Sequence, residues 1–141
     1  MENIIKAINI AIKAHDGQLG KLGQPYVLHP LWVMGQVDSE DEKIAAVLHD
    51  VVEDTSVTIS ELRAQGFSDA SMTALELLTH DKTIPYMDYI NKLAPNKIAR
   101  RVKLADLAHN MDINRLQEVS PGFVARAADY KKAYGLLKNY A

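Results

Sequence analysis

The stretch AAVLHDVVEDT, residues 45–55, decides how this chain reads. Its apolar residues recur at helical spacing, yet it also carries a histidine and three carboxylates: His49, Asp50, Glu53 and Asp54. On a helical wheel with His49 at zero, Glu53 falls at about 40°, Asp50 at about 100° and Asp54 at about 140°. Ile44, Val47, Leu48, Val51 and Val52 fill the opposite arc and would anchor the helix in a core. Ala45 and Ala46 lie one turn earlier, on or beside the polar face, where small side chains leave room for a ligand. Such a cluster is either the solvated face of an amphipathic helix or a group of carboxylates whose repulsion a cation offsets.

The rest of the composition narrows the classes. The chain has 141 residues, one ordinary domain's length and enough for a real core. At 48% apolar and 24% charged residues it is globular rather than disordered. No apolar run approaches the roughly 20 residues a bilayer requires, and the N-terminus lacks a signal-peptide profile, so the expected location is cytoplasmic. Cysteine is absent, so disulfides are excluded and any metal must be held by His, Asp or Glu. The formal net charge of −2 gives no pull toward nucleic acid or an anionic membrane. No basic stripe with interleaved aromatics suggests nucleic-acid binding. A polyanionic ligand would need local positive charge or a bound cation.

Neither a repeat nor a low-complexity linker interrupts the chain, so residues 1–141 read as a single domain. Residues 2–15 form an amphipathic helix with Ile4, Ile5, Ile8, Ala11 and Ile12 on one side. Pro30 suits a first helical turn, so HPLWVMGQV, residues 29–37, reads as a short helix entered from a turn at Gly23–Pro25. SEDE at 39–42 and TISE at 58–61 have the form of capping boxes. The first opens the helix that carries the His49–Asp50 pair, which is read as continuous through residue 55. Further helices are expected at about 69–79, 85–94, 96–117 and 122–139. Nothing alternates with period two, so the protein should be all-α. Trp32 and the two phenylalanines read as core.

A second chemical motif is IARRVKLADLAHNM, residues 98–111, apolar over most of its circumference and therefore a buried helix. Asp106 and Asn110 are i,i+4 neighbours on its polar strip, with Lys103 close by. A buried carboxylate needs a partner, which is either Lys103 in a local salt bridge or a metal. His29, in QPYVLHP, sits beside a turn, as an N-cap, a surface histidine or a ligand. Together His29, His49, Asp50 and Asp106 would supply two imidazoles and two carboxylates. That mixed set suits a divalent ion such as Mn²⁺, Fe²⁺ or Zn²⁺ with positions open for water and substrate.

YVLHP, AAVLHDVVEDT and VKLADLAHNM, in this order and at these separations, resemble the HD-domain hydrolases of the RelA/SpoT family, most closely the stand-alone small alarmone hydrolases. The resemblance runs from about His15 to Tyr130. It implies a single helical HD-domain bundle and a Mn²⁺-dependent hydrolase that removes pyrophosphate from the 3′ position of (p)ppGpp. It implies His29, His49, Asp50 and Asp106 as metal ligands, with Glu53 and Asp54 positioning and deprotonating the attacking water. For the nucleotide it points to Lys21, Lys82, Asn110, Arg126 and Tyr130. The bland alternatives are solvated surface charge for Lys21 and Lys82, and an i,i+4 Arg–aromatic pair for Arg126 and Tyr130.

The chain departs from the family pattern in three places. The usual Arg-Lys pair reads Gly20-Lys21, many members' Arg-Thr after HNM reads Asp112-Ile113, and the common Arg-Leu within the third motif reads Leu107-Ala108. These touch the substrate rim and leave the expected ligands alone. They keep open an HD phosphohydrolase acting on another nucleotide or phosphorylated metabolite. A catalytically silent nucleotide-binding module is the third reading, and it would be expected to have lost a ligand or the Glu53-Asp54 pair. The sequence indicates no oligomeric state.

Overall fold

Several helix starts in this chain are set by short polar side chains that take up free backbone N–H groups. In the computed structural model, which describes residues 2–20, 22–114 and 121–140, Ser39 caps the helix Glu40–Leu48 (α3 below) in a complete capping box with Glu42. Thr58 accepts from the Glu61 amide at the start of Ile59–Ala64 (α5), and Ser68 accepts from the Ser71 amide at the start of Asp69–Leu78 (α6). The other elements are α1 Glu2–Ala14, α2 Leu28–Gly35, α4 Val51–Asp54, α7 Tyr86–Leu93, α8 Lys97–Asn114 and α9 Pro121–Lys138. No strand occurs among the described residues; a lone antiparallel bridge joins Leu19 to Pro25. The chain is all-α, as the absence of two-residue alternation predicts.

α3 lies at the centre and packs against α1, α2, α6 and α8. Its apolar residues divide between two cores. Ile44, Val47 and Leu48 join Ala7, Ala11, Val51, Leu62, Phe67, Met72 and Leu75 in one. Ala45 and Ala46 join Val33, Leu78, Ile90, Leu93, Val102, Leu107 and Leu137 in the other. The two alanines therefore do not flank a ligand space; their small side chains let neighbouring helices approach α3 closely.

Three further expectations are corrected. The helix of residues 45–55 is not continuous: α3 ends at Leu48 and α4 starts at Val51. The His49 amide bonds to the Ala46 carbonyl at 3.3 Å, and His49 Nδ1 donates to the same oxygen, so a tighter turn replaces the regular ladder. On α1 the buried face is Ala7 and Ala11 with Ile4 and Ile8 beside them, while Ile5 and Ile12 turn outward at 56% and 48% exposure. Trp32 is no core residue but is 39% exposed. Phe67 is buried as expected, and Phe123 lies outside the described side chains.

Between α1 and α2 the chain turns at Gly17, whose φ of +80° is a left-handed conformation that glycine adopts without strain. The loop that follows is closed by the Tyr26 amide on the Gln18 carbonyl at 2.9 Å. It sets Gln18 and Tyr26 against the start of α4.

Candidate metal centre

Four elements deliver the polar groups. His29 comes from the first turn of α2, His49 and Asp50 from the break between α3 and α4, Glu53 and Asp54 from α4, and Asp106 from the middle of α8. His29, His49 and Asp106 are all buried, and their nearest ligand-type atoms lie within 4.8 Å of one another. Asp106 Oδ1 is the meeting point, 2.8 Å from His29 Nε2 and 3.3 Å from His49 Nε2. Asp50 Oδ2 stands 3.1 Å from His49 Nε2 and 3.7 Å from His29 Nε2. The four expected ligands are thus brought together from positions up to 77 residues apart. Asp106 also pairs with Lys103 through Oδ2 at 2.9 Å, so the local salt bridge and the cluster coexist.

Outer contacts orient this group. His49 Nδ1 donates to the Ala46 carbonyl, which leaves Nε2 as its inward nitrogen. The Tyr26 hydroxyl donates to Asp50 Oδ2 at 2.6 Å and Asn110 Nδ2 donates to Asp106 Oδ1 at 3.1 Å. His29 Nδ1 pairs with His109 Nδ1 at 2.6 Å. The His109 ring is stacked between His29 and Trp32, with centroids 4.9 and 4.3 Å away. A histidine whose second nitrogen is tied to another group in this way is the usual arrangement of a metal ligand.

The electrostatics follow from crowding. Burial pushes the His49 imidazole down, but the charges of Asp50 and Asp106 outweigh it and hold it well above the ordinary histidine value. Burial would raise both aspartates; the His49 charge and hydrogen bond bring Asp50 below the usual carboxylate range, and Lys103 and His49 bring Asp106 well below it. Lys103, lowered by burial, is held high by Asp106 and by the tyrosines Tyr89 and Tyr86. Glu53 and Asp54 behave the other way. Although both reach solvent, loss of surrounding water raises each carboxyl, aided by the Asp50 charge. A hydrogen bond from the His80 amide to Glu53 Oε1 and one from Gln18 to Asp54 partly oppose the rise.

Asp50, Glu53, Asp54, Lys103 and Asp106 floor a cavity of about 220 Å³ whose walls include Lys82, Tyr86, Tyr89, Asn110 and Tyr130. A second cavity of about 260 Å³ shares Lys82, Tyr86 and Tyr130 and adds Arg126 and Asp129. Four of the five residues expected at the nucleotide therefore line these spaces; Lys21 lies outside the described residues. The Tyr86 hydroxyl, pushed up to about 12 by burial, has no hydrogen-bond partner among the described residues. Sequence reasoning missed Tyr26, Gln18, His80 and His109. Only His109 had a legible signal: it follows Asp106 by three positions, which places it on the same side of α8.

A bundle of helices that brings a His-Asp pair together with an upstream histidine and a downstream aspartate is an HD domain. A solved structure described as a metazoan ortholog of SpoT that hydrolyses ppGpp has this fold, with a TM-score of 0.80, covering 99% of this chain and 88% of that one at 20% identity. The MESH1 guanosine-3′,5′-bis(diphosphate) 3′-pyrophosphohydrolase of Xenopus tropicalis is 36% identical over 126 residues, 79% of this chain and 70% of the relative. The human MESH1 is 34% identical over 126 residues, with the same 79% and 70% coverage. This chain belongs to the guanosine-3′,5′-bis(diphosphate) 3′-pyrophosphohydrolase family. The similarly named protein of Borreliella burgdorferi is 35% identical over 126 residues, but the match spans only 19% of its length. No family model matches the chain.

Proposed function

We propose that the protein hydrolyses the 3′-pyrophosphate of (p)ppGpp, yielding GDP or GTP and pyrophosphate, in the cytoplasm. The carrying observation is the convergence of His29, His49 and Asp106 within 4.8 Å, with Asp106 at the floor of a cavity that Asp50, Glu53, Asp54, Lys82 and Lys103 also line. The names of its MESH1 relatives support the substrate. The absence of any helix long and apolar enough to cross a membrane, among the described residues, agrees with the location.

The donor set fits a divalent ion. His49 keeps its inward nitrogen for ligation because Nδ1 is committed to the Ala46 carbonyl, and the N/O mixture without thiolate suits Mn²⁺. His29, His49, Asp50 and Asp106 would hold it. Bound there, such an ion supplies positive charge to phosphate oxygens and acidifies water.

The chain's own residues do the rest. Glu53, fixed by the His80 amide, takes the proton of the attacking water; its raised pKa makes it a stronger base than a fully hydrated glutamate. Asp54, hydrogen-bonded by Gln18, orients that water. Tyr26 keeps Asp50 in place. Lys82, Asn110 and Tyr130 take the nucleotide along the cavity wall, with Arg126 adding charge in the second cavity; Lys21 is the remaining candidate contact to the nucleotide.

An assay with ppGpp and Mn²⁺, run beside a panel of other nucleotides and an EDTA control, tests this. EDTA-sensitive release of GDP and pyrophosphate is the expected result. Turnover of a different panel member would keep the hydrolase and replace the substrate, the outcome that Gly20 in place of an arginine favours. Bound Mn²⁺ without turnover of anything would make the chain a binding module.

A further inference from the structure

Lys103 lines the cavity floor, and neither the ligand set nor the water-activating pair uses it. Its side chain is 13% exposed. The ammonium lies 2.9 Å from Asp106 Oδ2 and above the rings of Tyr89 and Tyr86, at 5.4 and 5.9 Å from their centroids. The other oxygen, Asp106 Oδ1, is where His29 Nε2, His49 Nε2 and Asn110 Nδ2 arrive at 2.8, 3.3 and 3.1 Å. One carboxylate is therefore divided, with Oδ1 toward the imidazoles and Oδ2 toward a fixed cation. The aromatic faces favour a cation at this spot, and a lysine gives a compact point charge rather than a fork.

We propose that Lys103 is a permanent second cation of the centre: it occupies Oδ2, so that Asp106 reaches a bound ion through Oδ1 alone, and it adds positive charge to the wall that receives an anionic phosphate. This rests on the metal-centre reading above. Two consequences follow from Coulomb's law. Lys103 repels a dication, so it weakens ion binding. It attracts a polyphosphate, so it strengthens substrate binding. An ordinary structural salt bridge has neither effect in this combination, because losing it would misplace Asp106 and loosen the ion.

The test compares wild type, Lys103→Met and Lys103→Arg. Mn²⁺ is titrated into the metal-stripped proteins by calorimetry, KM and kcat are measured on ppGpp, and melting curves establish that each variant is folded. Lys103→Met is expected to bind Mn²⁺ about tenfold tighter. Its KM should rise about tenfold while kcat changes less. Lys103→Arg, which restores the charge, should return both constants toward wild type. Mn²⁺ affinity equal to or weaker than wild type in Lys103→Met overturns the proposal. If Lys103→Met does not fold, Lys103→Gln, which keeps a polar contact to Oδ2 without charge, is read in the same way. If wild type leaves ppGpp intact, the substrate assignment fails, and the calorimetric arm still decides the role of Lys103.

Discussion

Arg63 on the surface and Lys103 in the interior both bind carboxylates, and the two clusters they build obey different rules. Arg63 reaches Asp69 at 2.7 Å and Glu76 at 2.9 Å, with side chains 38%, 91% and 50% exposed. Such a cluster adds little to stability, because water screens it and ordering the side chains costs entropy. The cluster of Lys103, His29, His49, Asp50 and Asp106 has side-chain exposures between 5% and 13%. There the cost of desolvation rivals the Coulombic gain, and apolar residues of similar volume would pack at less cost. A fold that gathers charge in its interior while cheaper packing is at hand does so where chemistry requires it. The surface cluster is decoration on α5 and α6. The buried one sits where α2, α8 and the break between α3 and α4 converge.

That contrast can be broken most severely at Asp106. Asp106→Ala removes a candidate ligand and leaves Lys103 buried without its partner, so Mn²⁺ binding should disappear and metal-free stability should fall by about 3 kcal/mol in urea unfolding. A variant that still binds Mn²⁺ normally would remove Asp106 from the centre. Glu53→Gln should act on chemistry alone. Calorimetric Mn²⁺ affinity should hold while turnover drops roughly 10²–10⁴-fold, and near-normal turnover would end its role as base.

The pH dependence of metal-free stability sharpens the comparison next. His49 is raised, so its contribution is complete below the unfolded value of about 6.5 and is lost as pH rises through the folded value. Asp50 and Asp106 are lowered, so theirs are present above the unfolded value of about 3.9 and lost as pH falls through the folded values. Glu53 and Asp54 are raised, and their contribution too declines as pH rises through their folded values. The metal-free protein should therefore melt higher at about pH 5.5 than at about pH 8, and a flat profile would contradict the coupling. His109→Ala should weaken Mn²⁺ binding about tenfold by freeing His29; unchanged affinity would show that His29 needs no such support. The smallest effect belongs to the surface: Arg63→Ala should leave the urea unfolding midpoint close to wild type and Mn²⁺ binding untouched.

Much of this was readable from the residues, and what was missed has physical causes. Ser39 with Glu42 and Thr58 with Glu61 marked two helix starts because a cap is a local event. Periodicity placed α6, α7, α8 and α9 within a few residues of their ends. The break at His49 was invisible because Val47, Leu48, Val51 and Val52 keep helical spacing across it, while the side chain that competes for the Ala46 carbonyl leaves no trace in an apolar pattern. Trp32 was misplaced for the opposite reason: a wheel scores an indole as core, but its neighbour in space is His109, 77 positions away in the chain. The expected ligands came together because the motifs that carry them are short and ordered. Their supporting groups, Tyr26, Gln18 and the His80 amide, come from loops, where no period reveals what a side chain or amide will meet.

The row formed by Trp32, His109 and His29 has one more consequence. The chain contains a single tryptophan, and its indole lies 13° from parallel with an imidazole that shares a 2.6 Å hydrogen bond with a candidate ligand. Any change at His29 that alters the His109 ring alters the quencher lying on the fluorophore. Loading the candidate centre is therefore expected to change the emission of the unlabelled protein, and a fluorescence titration with Mn²⁺ checks it.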